Sequence, residues 1–231
     1  MRHAATLSRV EHYFDRTATR TWERLTSDAP VSGIRATVRA GRDRMRAALL
    51  AELPADLTGQ RVLDAGCGTG ALAVELARRG AEVTAVDIAP KLVQIARERA
   101  PAGLGIDFRA GDLADAGLGR FDHVVAMDSL IYYDGPELAE LLGRLRPRVS
   151  GRIVFTLAPR TPLLMAMWRV GRLFPRSDRS PVMVPQSGSR LAAALREARV
   201  PGNLRERERV TSGFYISTAF VHESARPRGS A

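Results

Sequence analysis

The chain predicts an α/β protein: a mostly parallel, seven-stranded sheet with helices on both faces and a C-terminal antiparallel hairpin. Three observations carry that prediction. From Arg61 to Leu157 short apolar runs alternate with amphipathic stretches, the rhythm of parallel strands joined by crossover helices. The first such run opens into alternate glycines, Gly66, Gly68 and Gly70, just before a helical pattern. The last two apolar runs are joined by a turn too short for a crossover, so they must pair antiparallel.

Taken in order, the segment Ser8–Ala29 is polar and aromatic and reads as a short helix followed by an arm. Thr37–Leu53 is a helix with Val38, Met45, Leu49, Leu50 and Leu53 on one side and arginines on the other, and Pro54 ends it. The strand Arg61–Leu63 leads into a helix, Ala71–Arg79, closed by Gly80. Glu82–Val86 is the second strand, and Pro90–Ala100 a helix with proline in its first turn. Ile106–Arg109 and Phe121–Met127 are the third and fourth strands, Pro136–Leu145 a helix and Arg152–Leu157 the fifth strand. Prolines 159, 162, 175, 181 and 185 then break the rhythm around an apolar helix, Leu163–Phe174, and a basic run ending at Arg179. The helix Ser189–Arg199 and the strands Leu204–Thr211 and Phe214–His222 complete the pattern. The expected organisation is a helical arm or lid over 1–54 and a catalytic domain over 55–223, followed by a disordered tail over 224–231. Within the domain, 159–186 is a substrate-side insertion.

Composition narrows the class. Hydrophobic residues make up 45% of the chain and charged residues 26%, ordinary for a globular domain. No apolar run reaches the roughly 18 residues of a membrane-spanning helix, and the first ten residues lack the apolar stretch of a secretory signal. The single cysteine, Cys67, cannot form an internal disulfide, which fits a reducing cytoplasm. Net charge is +10, almost all of it arginine, since Lys91 is the only lysine. The arginines are spread through helices and loops with no basic-aromatic repeat, so we read the excess as composition rather than a nucleic-acid surface. It still favours anionic substrates, acidic partners or peripheral membrane contact. The four histidines are scattered, and no metal site is expected.

In an open α/β sheet a ligand lies at the carboxyl ends of the strands, at the point where strand order reverses. Those ends carry Asp64, Gly66, Gly68 and Gly70, then Asp87 and Ile88, then Asp112 and Leu113, then Met127 and Asp128. The glycines let the backbone turn sharply and approach a ligand closely. A dinucleotide site would space them G-x-G-x-x-G and leave the loop electrically open to pyrophosphate. Here the spacing is G-x-G-x-G behind an acid, which suits a ligand carrying an ammonium and a sulfonium. Asp87 can accept from two ribose hydroxyls, Asp112 from an exocyclic amine, and Leu113 can offer its N–H to a ring nitrogen. The ligand inferred is S-adenosylmethionine, and Asp64-Ala65-Gly66-Cys67-Gly68-Thr69-Gly70 resembles motif I of the class I methyltransferases, whose fold is Rossmann-like.

Other runs resemble one family. Tyr13-Phe14-Asp15-Arg16-Thr17, Trp22-Glu23-Arg24, Arg39-Ala40-Gly41-Arg42 and Ala126–Tyr133 are similar to the magnesium-protoporphyrin IX O-methyltransferases. So are Leu157–Pro162, Gly171–Pro175 and Thr211–Tyr215, and the likeness covers nearly the whole chain. It implies methyl transfer to one propionate of Mg-protoporphyrin IX in bacteriochlorophyll or chlorophyll synthesis. It adds Tyr13 and Arg39 on the cofactor side, Trp22 and Thr26 on the substrate side, and Tyr132 with Asp128 where the chemistry occurs. Plant and cyanobacterial members carry His where this chain has Tyr132, and Tyr near Thr26, so the likeness is closer to the bacterial branch. Arg160, Arg176 and Arg179 are candidates to hold the second propionate, and Trp168 in the apolar helix to cover the macrocycle. The family also implies handover from the large subunit of magnesium chelatase. Two other readings are a quinone-biosynthesis methyltransferase, which would need a base, and a non-enzymatic cofactor-binding scaffold. The intact acids and glycines of the loop speak against the scaffold.

Overall fold

The computed structural model describes residues 2–13, 33–160 and 183–224. Two helices, α1 (Arg2–Tyr13) and α2 (Gly33–Ala51), precede the sheet. There follow β1 (Arg61–Ala65), α3 (Ala71–Arg78), β2 (Glu82–Asp87), α4 (Pro90–Arg99), β3 (Ile106–Ala110) and β4 (His123–Ala126). After them come α5 (Gly135–Leu145), β5 (Arg152–Leu157), α6 (Gly188–Glu197), β6 (Asn203–Ser212) and β7 (Tyr215–Glu223). The seven strands stand in the order β3-β2-β1-β4-β5-β7-β6. The first five are mutually parallel, and β7 runs antiparallel to both β5 and β6. The chain leaves β1 toward β2 and β3, then returns to the other side of β1 with β4, so the crevice above β1 and β4 is the switch point.

β1, β2, β4 and β5 read as near-continuous apolar runs because both their faces are covered. Successive residues of β1 face opposite sides, Val62 into one core and Leu63 into the other. Met45 and Leu49 of α2, Leu76 of α3 and Val93 of α4 fill the first core. The second is filled by Leu138 and Leu142 of α5 and Leu191 and Leu195 of α6, with Phe155 stacked on Phe220 at 5.8 Å between ring centroids. Helix ends follow their sequence signals. Asp134 and Glu137 form a reciprocal cap on α5, with Glu137 N–H donating to Asp134 Oδ1 at 2.9 Å and Asp134 N–H to Glu137 Oε2 at 3.1 Å. Pro90 occupies the first turn of α4.

Several boundaries move. The first helix begins at Arg2 rather than Ser8, and α2 at Gly33 rather than Thr37. The first strand extends through Asp64 to Ala65, because Asp64 sits in register between Ala85 of β2 and Val125 of β4. The fourth contracts to His123–Ala126, with Phe121 making only an isolated bridge to Val149. At the proposed insertion the two ends are pinned together: Arg160 N–H donates to Gln186 O at 3.1 Å, and Gln186 N–H to Ala158 O at 2.9 Å. The predicted helix Leu163–Phe174, residues 14–32 of the arm and the tail from Ala225 lie outside the described residues.

Candidate active site

The glycine turn is held from inside the protein. Gly66 and Cys67 donate their N–H groups to Val86 O at 2.7 and 3.0 Å, and Gly68 N–H donates to Asp87 Oδ2 at 2.8 Å. Gly70 N–H donates to Cys67 O at 2.9 Å. Three donors of the turn, those of Gly66, Cys67 and Gly68, are therefore spent on β2, and that of Gly70 within the turn itself. Gly66 cannot carry a side chain: at φ +88° its Cβ would lie 2.2 Å from Ser129 Cβ. Ser129 itself donates to Ala65 O at 2.6 Å, which ties the end of β4 to the end of β1.

Above this turn lies a cavity of about 330 Å³. Its floor holds Asp64, Gly66, Cys67, Gly68, Asp87 and Ile88, and further wall residues include Gly111, Leu113, Met127, Asp128, Ser129 and Tyr132. Leu7 and Val10 of α1 close one side, and Arg39, Arg42, Asp43 and Arg46 of α2 another. Val10 packs on Ala89, Leu92, Ile131 and Tyr132, an apolar cluster just past Asp87.

The floor is acidic and dry. Asp64 is 1% exposed, and its Oδ2 is buried without a hydrogen-bond partner among the described residues. Burial, with repulsion from Asp87 second, pushes its carboxyl up to about 7. Burial also raises Asp87, whose Oδ1 accepts from Ala89 N–H at 2.9 Å. A buried carboxylate oxygen without a partner is costly, and a cationic ligand removes that cost. Burial and the two acids raise Cys67 well above a usual thiol, so it is no nucleophile.

The sequence-predicted residues divide accordingly. Arg39, Asp64, Gly66, Gly68, Asp87, Ile88, Leu113, Met127, Asp128 and Tyr132 all line the cavity. Gly70 does not line it; it caps the N-terminus of α3. Asp112 is also outside the lining, with its Oδ1 accepting from Ala114 N–H at 2.8 Å. Arg160 is exposed at the start of the insertion, and Tyr13 is the last residue of α1. Trp22, Thr26, Trp168, Arg176 and Arg179 lie outside the described residues. Sequence reasoning gave no site role to Arg42, Asp43 or Arg46, having placed only Arg39 of this helix on the cofactor side. The spacing 39, 42, 46 repeats at one helical face, which is the signal that could have grouped them.

Asp128, two residues past β4, adopts a left-handed conformation, φ +57°, uncommon for a residue with a Cβ. Arg42 Nη1 reaches its Oδ2 at 2.6 Å, and the hydroxyls of Tyr215 and Thr156 donate to its Oδ1 at 3.0 and 3.2 Å. So engaged, Asp128 is not poised as a general base.

A doubly wound sheet, donors spent within the glycine turn and two buried acids at the first two strand ends define a class I S-adenosylmethionine-dependent methyltransferase. Residues 62–149 match a methyltransferase domain model, and residues 126–223 match the model of the magnesium-protoporphyrin IX methyltransferase C-terminus. The chain is 56% identical to the magnesium-protoporphyrin O-methyltransferase of Rhodobacter capsulatus over 218 residues, 93% of this chain and 95% of that one. It is 34% identical to the Synechocystis protein of the same name over 172 residues, 72% and 74% of the two chains. The crystal structure of the Synechocystis PCC 6803 magnesium protoporphyrin IX methyltransferase with bound SAH superposes with a TM-score of 0.78 at 28% identity, covering 94% of this chain and 98% of that one. The chain belongs to the magnesium-protoporphyrin O-methyltransferase family.

Proposed function

We propose that this protein transfers the methyl group of S-adenosylmethionine to a propionate carboxylate of Mg-protoporphyrin IX, giving a monomethyl ester and S-adenosylhomocysteine in bacteriochlorophyll or chlorophyll synthesis. The observation that carries the donor half is Asp64, a buried acid with an unpartnered oxygen under a turn whose donors are spent. It fits the ammonium end of the cofactor, while Asp87 fits the ribose. The acceptor half rests on a likeness of 56% that spans both the cofactor-binding half and the C-terminal half of the chain. A quinone-biosynthesis enzyme would share only the former.

When bound, the cofactor supplies an electrophilic methyl on a sulfonium. The acceptor needs no activation, because a propionate is ionised at neutral pH. The residues around the cavity align and enclose. Leu7, Val10, Leu113, Met127 and Tyr132 exclude water, and a dry pocket favours a reaction in which opposite charges annihilate. Orientation supplies the rest of the acceleration. The carboxylate oxygen forms the new C–O bond as the S–C bond breaks, and no proton changes hands. Tyr132 borders the reacting centre as a positioning residue, and Trp22, Thr26, Arg160, Trp168, Arg176 and Arg179 belong to the acceptor side. The large subunit of magnesium chelatase is the handover partner, and the +10 net charge supports docking of an acidic surface or peripheral contact with the photosynthetic membrane. No helix among the described residues is long and apolar enough to cross a membrane.

The test is incubation with methyl-labelled cofactor and Mg-protoporphyrin IX, with products read by mass spectrometry. Labelled monoester and S-adenosylhomocysteine should appear in equal amounts. No ester here, with product from a phenolic quinone precursor instead, overturns the acceptor assignment.

A further inference from the structure

The carboxylate of Asp128 gathers side chains from three elements, and the arrangement has a direction. Tyr215 of β7 and Thr156 of β5 donate to it at 3.0 and 3.2 Å, and its own N–H donates to Thr156 Oγ1 at 2.7 Å. Neither Tyr215 nor Thr156 lines the cavity, whereas Asp128 and Arg42 both do. The two hydroxyls thus fix Asp128 from behind, and Asp128 fixes the Arg42 guanidinium in front at 2.6 Å. Helix α2 is brought to this point by close packing on the hairpin. A Cβ on Gly41 would come within 2.7 Å of Tyr215 Cδ1, and Ser212 Oγ donates to Thr37 O at 2.8 Å. The cavity therefore has acids on its floor and an anchored guanidinium in its wall. A ligand spanning both is cationic at one point and anionic at another.

We propose that Arg42 is the carboxylate-binding residue of this cavity, positioned by Asp128, which Tyr215 and Thr156 hold in turn. A guanidinium presents five donors in a rigid fork, so it can serve an internal and a ligand carboxylate together. The chemistry is one, and its source is either the amino-acid carboxylate of S-adenosylmethionine or a propionate of the acceptor. This deepens the methyltransferase reading and rests on it.

The experiment compares full-length wild type with Arg42→Gln, Arg42→Lys and Tyr215→Phe, each checked by thermal melting. S-adenosylhomocysteine is titrated by calorimetry, and the KM for Mg-protoporphyrin IX is measured at saturating cofactor. Arg42→Gln should lose about tenfold or more in one of the two, the worth of a charged hydrogen bond. A loss of S-adenosylhomocysteine affinity assigns the carboxylate to the cofactor. A raised KM with that affinity intact assigns it to the propionate. Arg42→Lys should recover part of the loss, and Tyr215→Phe should move the same quantity in the same direction by a smaller factor at an unchanged melting temperature. Both constants within about twofold of wild type in Arg42→Gln overturn the proposal. If that variant does not fold, Tyr215→Phe decides: a lowered melting temperature with both constants unmoved is a structural role and overturns it. A wild type that binds S-adenosylhomocysteine through Arg42 yet does not esterify the porphyrin overturns the acceptor reading alone.

Discussion

At the scale of single residues, Asp87 has a structural job beside the ribose contact proposed for it. Its position after an apolar strand marks it as a ribose acceptor. In the structure its two oxygens also accept from Gly68 and Ala89 N–H groups at 2.8 and 2.9 Å, so it holds the glycine turn against β2. Asp87→Ala should therefore weaken S-adenosylhomocysteine binding by roughly a hundredfold, through a lost ribose contact and a loosened turn. Unchanged affinity by calorimetry would refute the ribose assignment. The acids and glycines were legible because strand ends and glycine spacing are one-dimensional patterns. Arg42, Ser129 and Tyr215 were not, because their meaning comes from partners far along the chain: Arg42 and Tyr215 meet on Asp128, 86 and 87 residues away.

At the scale of elements, α1 ties the N-terminal arm to the cavity floor. An arm that served only the porphyrin could be removed without touching the cofactor. But Leu7 and Val10 line the cavity, and Val10 packs beside Ala89 and Leu92, immediately past Asp87. Removing residues 1–13 should therefore weaken S-adenosylhomocysteine binding by about tenfold or more, from two aliphatic walls returned to solvent. Esterification should fall with it. Full affinity in the truncated protein would show that α1 serves the acceptor alone. Each strand and every helix of the sheet region was readable from periodicity, and β5 to the residue. Errors fell where chemistry interrupts the pattern. Asp64 lies inside β1, where an acid normally signals a strand's end, and Phe121 reads as strand although it pairs only in an isolated bridge.

At the scale of the whole molecule, opposite faults are built into opposite ends of the sheet. Asp64 and Asp87, at the carboxyl ends, are raised by burial, so the stability they lend is full below about pH 4 and is lost as pH rises, for Asp64 as it passes about 7. His222 is buried, and Ile153, its partner in register, is the second residue of β5. Burial, with the Arg146 charge second, lowers it from 6.5 to about 4; its stability is full above pH 6.5 and is lost as pH falls through 4. His123, lowered by burial, acts in the same sense. Asp56 and Asp122 are lowered, so their effects fall below about pH 4, outside this window. Between pH 4 and 7 the acids and the histidines therefore oppose each other, and the ligand-free protein should melt at a nearly constant temperature across it. Cofactor binding partners the ionised acids and cancels their half. The rise in melting temperature given by saturating S-adenosylhomocysteine should then be larger at pH 8 than at pH 5. In His222→Leu, the ligand-free protein should melt higher at pH 5 than at pH 7, because the acids then act with less opposition. A ligand-induced rise that is the same at both pH values would mean that the buried acids do not carry the cofactor's positive charge.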